Sequence, residues 1–332
     1  MKNEPACRIA DRPSSRALIA VWLVLFFFSS LWAAQPAGTY PGRLGIVRAG
    51  YLFPEESQIE ARFATYLETR TTDAFSRYVA KYGKEISTDN AKELSPDYAP
   101  GGMDVENPAT NAARTKWGEA VFMPARAFSR ELYRRALNRE TPSHQSRQVI
   151  FTAGGAGAGK STGIRQLPRI AQEVDATEII YDTTLSEWKS ATQRIQEGLN
   201  AGRTVSVVFV YRDPIDALIR GVFPRAKATG RMPTLGGFLN TYMGAAETLL
   251  KIAAAYKNDS RVAIAVIDNT GGIDHATLSD LRFVESISGK YSRESLKAQL
   301  IRATETAYEK GKKGERGGLP EILYQAFNRH MR

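Results

Sequence analysis

The sequence predicts an α/β fold, with a parallel β-sheet sandwiched by helices and helical extensions at both ends. Short β-rich runs alternate with helical patterns from residue 147 to residue 275, which is typical of strands joined by crossover helices. A glycine-rich turn follows the first of these runs directly. The regions before and after show helical periodicity without comparable β-rich runs.

The composition supports a well-packed chain. Of its 332 residues, 43% are hydrophobic and 24% are charged, which supplies ample material for a core and argues against wholesale disorder. There is one cysteine, Cys7, and there are three histidines, at positions 144, 275 and 330. This count argues against a disulfide framework, a Cys/His zinc site and a cysteine nucleophile.

The charge is basic: 45 Lys and Arg against 35 Asp and Glu give a formal net charge of +10. An anionic membrane surface, a phosphorylated ligand and a solvated basic surface all remain open on this ground. No run of five or more basic residues occurs, so we expect no nucleic-acid partner.

The N-terminus has the parts of a secretory leader. A basic stretch at 1–16 precedes twelve apolar residues at 17–28, and the segment 29–34 that follows holds four small residues around Leu31 and the bulky Trp32. We predict a signal peptide or an uncleaved membrane anchor at 1–34; a mis-assigned start or a buried helix is the third interpretation. The predicted location is the cell envelope or outside the cell, or the cytoplasm if the leader is mis-assigned. We expect membrane contact only through residues 17–34.

The rest of the N-terminal half contains no recognisable chemistry. Residues 35–54 are rich in Pro and Gly and are predicted to form a linker, and 55–146 a helical region for packing or partner binding. Within that region we expect a long loop at 83–110 and a helix that Pro124 interrupts.

Four β-rich runs are predicted as the strands of the core, at 149–151, 178–181, 205–211 and 262–267. After the second, Thr184 and Glu187 have the spacing of a capping box. After the third, Asp213 and Pro214 are typical of an N-cap and the first helical position. The core is predicted to span 147–275, followed by a helical C-terminal part at 276–332.

The glycine-rich turn fits the pattern GxxxxGK[ST] between a strand and a helix. Its residues, predicted to bind a nucleotide, are Gly154, Gly155, Ala156, Gly157, Ala158, Gly159, Lys160, Ser161 and Thr162. Glycines allow backbone N–H groups to approach phosphate oxygens. Lys160 would reach the β- and γ-phosphates, and the Ser161 hydroxyl would help to bind Mg²⁺. The expected cofactors are therefore ATP, or GTP, and Mg²⁺. The plain alternative is a flexible turn that matches by accident.

The surroundings of this loop favour a P-loop kinase-type core over a motor ATPase. A motor needs an acid pair after a strand, but Asp268 is followed by Asn269 and not by a second acid. The core from Gln148 to Gly272 is also compact. Asp268, with Asn269 and Thr270, is a candidate contact to the nucleotide base or sugar.

Residues 148–272 resemble the zeta toxin family, P-loop kinases that include UDP-N-acetylglucosamine kinases. The likeness covers slightly more than a third of the chain, and it rests on the loop at 154–161 and on the segments 180–185, 199–205, 214, 225 and 230–233. It implies an ATP- and Mg²⁺-dependent phosphotransferase with an alcohol group as acceptor, such as that of UDP-N-acetylglucosamine. It also implies a small antitoxin-like protein partner, although the helices at 55–138 could shield the site in cis.

Two arginines and one aspartate complete the predicted site. Phosphoryl transfer needs cations beyond Lys160, and by resemblance Arg225 and Arg231 match the family's phosphate-clamping arginines. Two other arginines, Arg212 and Arg220, would replace them if the register differs.

Asp182 ends the second strand, where open α/β sheets bind their ligands, and is predicted to act as base or to bind the metal with Ser161. The family offers a second acidic strand end, which this sequence lacks or supplies from elsewhere. A turn aspartate that begins a helix is the plain alternative for Asp182.

Three functions remain open on the sequence. The first is a small-molecule kinase that transfers the γ-phosphate of ATP to a hydroxyl group, such as one of a UDP-sugar. The second is a P-loop kinase for another small molecule. The third is a non-catalytic nucleotide-binding module of the cell envelope.

Overall fold

The structure is a computed structural model that describes residues 38–272 and 274–329. Six strands form one sheet: β1 Glu85–Ser87, β2 Ser146–Ala153, β3 Thr177–Asp182, β4 Thr204–Tyr211, β5 Val262–Asp268 and β6 Thr277–Ser279. Their order is β1-β3-β2-β4-β5-β6. All neighbours from β1 to β5 are parallel, and β6 runs antiparallel to β5.

The central strands are apolar along most of their length because helices cover both faces of the sheet. In β4, all seven residues from Val205 to Tyr211 are buried. In β2, burial is continuous from Val149 to Ala153. The glycine-rich loop at 154–162, called the phosphate loop after its sequence pattern, therefore begins where the strand leaves the core.

Between residue 38 and the strand that leads into the glycine-rich loop lie five helices: α1 Pro54–Thr69, α2 Thr71–Tyr82, α3 Thr88–Lys92, α4 Pro108–Trp117 and α5 Phe122–Leu137. Pro54 and Pro108 occupy first-turn positions, where a backbone N–H has no helical partner. The Asn107 side chain caps α4 by accepting from the N–H of Thr110 at 2.8 Å.

The core contains α6 Lys160–Arg165, α7 Pro168–Ala176, α8 Trp188–Asn200, α9 Pro214–Asp216, a π-helical segment Ala217–Val222, α10 Phe223–Thr229 and α11 Leu235–Ala255. The C-terminal helices are α12 Leu281–Ile287, α13 Arg293–Lys312 and α14 Glu321–Phe327. From Thr39 onward, the described residues belong to one compact unit.

Three apolar clusters hold these layers together. The largest packs one face of the sheet against α1, α2, α5 and α8, and a smaller one packs the other face against α6 and α7. The third joins α10 and α11 to α13 and α14. The expected fold class is therefore confirmed: a largely parallel sheet lies between helices, with helices at both ends and the glycine-rich loop after an inner strand.

The N-terminal region differs from the expected arrangement at two places. We expected a long loop at 83–110, but β1 and α3 lie there and β1 joins the sheet beside β3. Pro124 does not interrupt a helix, because α5 begins at Phe122 and places the proline in its first turn. The boundaries at 146/147 and 275/276 stay predictions; β1 lies before the first, and β6 after the second.

Of the two helix starts expected in the core, one is confirmed and one is wrong. The N-cap expected at Asp213 is confirmed, since its carboxylate accepts from the N–H of Ile215 at 3.0 Å. The capping box expected from Thr184 and Glu187 is wrong: α8 begins at Trp188 without a side-chain cap, and the Thr184 hydroxyl lies 3.0 Å from that of Ser186.

The expected location in the cell envelope is corrected. Within 38–272 and 274–329, no helix has the length and apolar character needed to span a bilayer. The predicted leader at 1–34, with its membrane contact at 17–34, lies outside the described residues.

Candidate functional site

The phosphate loop is packed so closely that its glycines cannot carry side chains. Gly154 has φ +124° and Gly157 has φ +76°, a backbone region that residues with a Cβ rarely adopt. A Cβ added to Gly154 would also lie 2.1 Å from the carbonyl oxygen of Val210. From α11, the Tyr242 hydroxyl donates to the carbonyl of Ala156 at 3.1 Å. The turn is therefore a rigid feature of the fold and not a flexible linker.

Lys160 and Asp182 form an ion pair at the mouth of this loop. The Nζ of Lys160 lies 3.0 Å from the Oδ1 of Asp182 and donates to the carbonyl of Thr183 at 2.9 Å. Thr152 donates to the same Asp182 oxygen at 2.5 Å. The strand register places Thr152, Asp182 and Ser87 side by side on β2, β3 and β1. The carboxyl ends of these parallel strands thus meet at one edge of the sheet, where α/β folds bind ligands.

Beside the loop opens a cleft of about 950 Å³. All four predicted catalytic residues line it: Lys160, Asp182, Arg225 and Arg231. The cleft walls carry eight basic side chains, Lys92, Arg114, Arg126, Lys160, Arg194, Arg225, Arg231 and Arg293. They also carry five acidic ones, Asp89, Glu119, Asp182, Glu187 and Glu247. The excess of positive charge suits an anionic ligand.

Arg225 and Arg231 reach the cleft in different electrostatic states. Arg225, on α10, is exposed and forms no ion pair within 4 Å among the described residues. Arg231 donates to the Oε1 of Glu93 at 2.7 Å, and the other oxygen of Glu93 accepts from Arg114 at 2.8 Å. The Glu93 side chain is fully buried. Arg225 is therefore the guanidinium more available to a ligand.

The two alternative arginines lie elsewhere. Arg212 and Arg220 both pair with the carboxylate of Asp216, the latter at 3.0 Å, and neither lines the cleft. The structure thus brings Arg225 and Arg231, and not the alternatives, to the same space as Lys160.

A contact between two glycines fixes the segment that carries Arg225. A Cβ added to Gly221, in the π-helical segment, would lie 2.6 Å from the carbonyl oxygen of Gly157. The segment therefore rests directly on the phosphate loop. π-helical turns recur at functional sites, and here the turn leads into α10 and its arginine.

Asp268 and its neighbours support the loop from the other side. Asn269 donates through Nδ2 to the carbonyl of Ala158 at 2.8 Å, and Asp268 accepts from the N–H of Thr270 at 2.9 Å. These contacts hold the loop and the turn after β5. A contact of Asp268 with a nucleotide base or sugar stays a prediction.

The residues that the sequence analysis missed come from the N-terminal region. Asp89 and Lys92 of α3 line the cleft and pair at 3.0 Å, while Glu93 pairs with Arg231 and with Arg114. Lys92, and then Arg225 and Arg231, keep the pKa of Asp89 below its usual value. The local sequence signal for this part of the site is the segment Glu85–Ser87, which forms β1. Three residues with polar ends are too few to be recognised as a strand.

The donor set at the loop fits a magnesium ion. The described ranges contain no group of three or more His, Cys, Asp or Glu side chains placed to bind a metal. Mg²⁺ does not require one, since with nucleotides it uses one or two protein oxygens together with phosphates and water. Ser161, exposed on the first turn of α6, and the second carboxylate oxygen of Asp182, which makes no hydrogen bond to a described residue, provide such oxygens.

Comparisons with known proteins are sparse. No family model matches the chain, and no curated protein matches it. Three solved structures show some likeness, all described as complexes of AvrRxo1-ORF1 with ORF2. One, with ATP, has TM-score 0.36 and 13% identity over 59% of this chain and 81% of that chain. Another, with sulphate ions, has TM-score 0.37 and 12% identity over 59% and 82% of the two chains.

The native complex has TM-score 0.39 and 12% identity over 72% of this chain and 98% of that chain. A likeness this weak carries no argument about function. The fold assignment rests on the sheet order, the glycine-rich loop and the helical layers of this protein itself.

Proposed function

We propose that the protein is a P-loop kinase that transfers the γ-phosphate of ATP, or of GTP, to a hydroxyl group of a small molecule. One observation carries the proposal: Ala156 and Lys160 of the phosphate loop, the Asp182 partner of Lys160, and Arg225 all line one positively charged cleft. Arg225 supplies a cation beyond the loop lysine, without an ion pair among the described residues, and phosphoryl transfer uses such a cation.

Each group has a physical task in this reaction. The backbone N–H groups of 155–159 and the ammonium group of Lys160 bind the phosphates, which places the γ-phosphoryl group in the cleft. Ser161 and Asp182 would hold Mg²⁺, which neutralises phosphate charge when it is bound. Arg225 neutralises the charge that spreads over the transferred group, and Arg231 orders the same wall.

A phosphorylated acceptor suits the remaining space. The cleft extends past the loop to Arg126 and Arg194, and Arg194 forms no ion pair within 4 Å among the described residues. A UDP-sugar such as UDP-N-acetylglucosamine, which the family resemblance implies, carries a diphosphate that these guanidinium groups would attract. The acceptor hydroxyl would then face the γ-phosphate.

The test is direct phosphoryl transfer. The purified chain is incubated with ATP or GTP labelled in the γ-phosphate, Mg²⁺, and a panel of acceptors that includes UDP-sugars. Labelled product is separated and identified by mass. Lys160→Ala should abolish transfer, whereas Lys257→Ala, an exposed lysine outside the cleft, should not change it.

The outcomes separate the alternatives. A phosphorylated UDP-sugar supports the proposed acceptor, and transfer only to other hydroxyl compounds indicates another small-molecule kinase. Tight nucleotide binding without transfer to any acceptor would make the protein a nucleotide-binding module. No nucleotide affinity in calorimetry would contradict all three.

A further inference from the structure

Asp89 is one of the five acidic residues that line the cleft, and it lies 71 residues before Lys160 in the sequence. We propose that Asp89 orients the acceptor hydroxyl and receives its proton, so that the N-terminal region supplies a catalytic residue. This inference rests on the kinase function proposed above.

The sheet places Asp89 at the same edge as the phosphate loop. β1 is parallel to β3, and Ser87 at its carboxyl end lies opposite Asp182. Neighbouring strands are about 4.8 Å apart, so the chain leaving β1 enters the same cleft one strand further from the loop. Asp89 follows Ser87 by two residues, and its side chain is 54% exposed within this cleft wall.

Asp182 contacts the lysine that would bind the phosphates, so the acceptor hydroxyl would need another group to orient it. Its Oδ1 is held by both Lys160 and Thr152. Asp89 uses one oxygen to pair with Lys92 at 3.0 Å, and its other oxygen makes no hydrogen bond to a described residue. A carboxylate in this state can accept a hydrogen bond from a hydroxyl group.

The other acids of the cleft have different neighbours. Glu187 lies 3.3 Å from Arg126, Glu119 accepts from Tyr51 at 3.3 Å, and Glu247 pairs with Lys251 at 2.6 Å. Asp89, in contrast, is influenced by Arg225 and Arg231, which lower its pKa after Lys92. Its carboxylate form is thus favoured, and it lines the same cleft as the two arginines that would surround the transferred group.

The acceptor oxygen uses a lone pair to form a bond to the γ-phosphorus, and the bond from that phosphorus to the β–γ bridging oxygen breaks. The electron pair of the broken bond stays on the nucleoside diphosphate. The proton of the acceptor hydroxyl passes to Asp89, and then to water. A carboxylate of low pKa receives this proton late, once the forming P–O bond has made the oxygen acidic.

The experiment compares Asp89→Asn, Asp89→Glu and Lys92→Met with the wild type, using the acceptor that gives transfer. Asp89→Asn should lower kcat by about 10²- to 10⁴-fold, with nucleotide Kd and the KM for ATP changed less than threefold. Asp89→Glu should recover part of kcat. Lys92→Met removes the ion pair but keeps the carboxylate, and should retain more activity than Asp89→Asn.

Asp97→Asn is the matched control, because Asp97 pairs with Arg62 in the same region and does not line the cleft. If the wild type is active and the kcat of Asp89→Asn is within threefold of it, the assignment is overturned. It is also overturned if Lys92→Met lowers kcat as much as Asp89→Asn does. Absence of transfer by the wild type with every acceptor would overturn the kinase function, and this role with it. Thermal melts of all variants confirm that the fold is intact.

Discussion

Arg231 of the core donates to Glu93 of the N-terminal region at 2.7 Å, across 138 positions of sequence. The carboxylate is fully buried, and it also accepts from Arg114 at 2.8 Å. One negative charge thus serves two guanidinium groups, and the position of a cleft arginine depends on a residue outside the predicted core. The N-terminal helices are part of the candidate site for this reason.

The first prediction concerns this buried carboxylate. Glu93→Gln should lower the free energy of unfolding by about 3–5 kcal/mol, because removal of one partner leaves buried guanidinium charge without compensation. Urea unfolding followed by circular dichroism measures the change. Glu247→Gln breaks an exposed pair with Lys251 and should change the free energy by less than about 1 kcal/mol. Equal effects of the two substitutions would contradict the central role of Glu93.

The phosphate loop could be predicted from the sequence because its signal is local. A strand, closely spaced glycines, a lysine and a hydroxyl residue lie within fifteen positions, and the backbone geometry demands those residue types. The N-cap at Asp213 is equally local. The neighbours of Arg231 could not be predicted in this way.

Long-range pairing explains what was missed. β1 has three residues and pairs with β3, whose paired residues lie 95 positions later in the chain. Such a short parallel edge strand has no hydrophobic period of its own, and its pairing depends on a strand that is distant in the sequence. Asp89, Lys92 and Glu93 therefore lay in a segment that we expected to be a loop. The roles of Lys160, Asp182, Arg225 and Arg231 stay predictions, although one cleft contains all four.

The second prediction separates two neighbouring arginines. Arg225→Ala should reduce kcat by about 10³- to 10⁵-fold while calorimetry still shows nucleotide binding, because the side chain would act on charge that develops during transfer. Arg220 lies five residues earlier, pairs with Asp216 and does not line the cleft. Arg220→Ala should therefore keep kcat within threefold. Near-normal turnover of Arg225→Ala would remove this residue from the site.

The third prediction tests the contact between the π-helical segment and the phosphate loop. Gly221→Ala would place a Cβ 2.6 Å from the carbonyl oxygen of Gly157, and neither backbone can move without displacing the loop. We expect at least a tenfold weaker Kd for Mg-ATP, measured by calorimetry.

Gly236→Ala provides the matched control for this substitution. Gly236 lies on α11 with open space around its Cβ position, so alanine there should leave Kd unchanged. It should also stabilise the protein by up to about 1 kcal/mol through helix propensity. Unchanged nucleotide affinity in Gly221→Ala would show that the segment does not set the shape of the loop.

The last prediction concerns the pH dependence of stability. Glu60 is almost fully buried, and burial raises its pKa above the usual value despite hydrogen bonds from Ala49 and Tyr40. A carboxyl with a raised pKa in the folded state favours folding most below its unfolded pKa, and this contribution is lost as pH rises through the folded pKa. Between pH 4 and pH 7, Glu60→Gln should therefore lose less stability than the wild type.

Glu131 is the control of opposite sign. Hydrogen bonds from Arg134 and Arg135 lower its pKa, so its contribution is present above its unfolded pKa and is lost as pH falls through the folded value. Urea unfolding of the wild type, Glu60→Gln and Glu131→Gln from pH 3 to pH 7 measures all three profiles. As pH rises, Glu60→Gln should become more stable relative to the wild type, whereas Glu131→Gln should become less stable relative to the wild type. If the Glu60→Gln profile runs parallel to the wild type, burial of Glu60 does not couple its proton to folding, and α1 packs more loosely than the structure indicates.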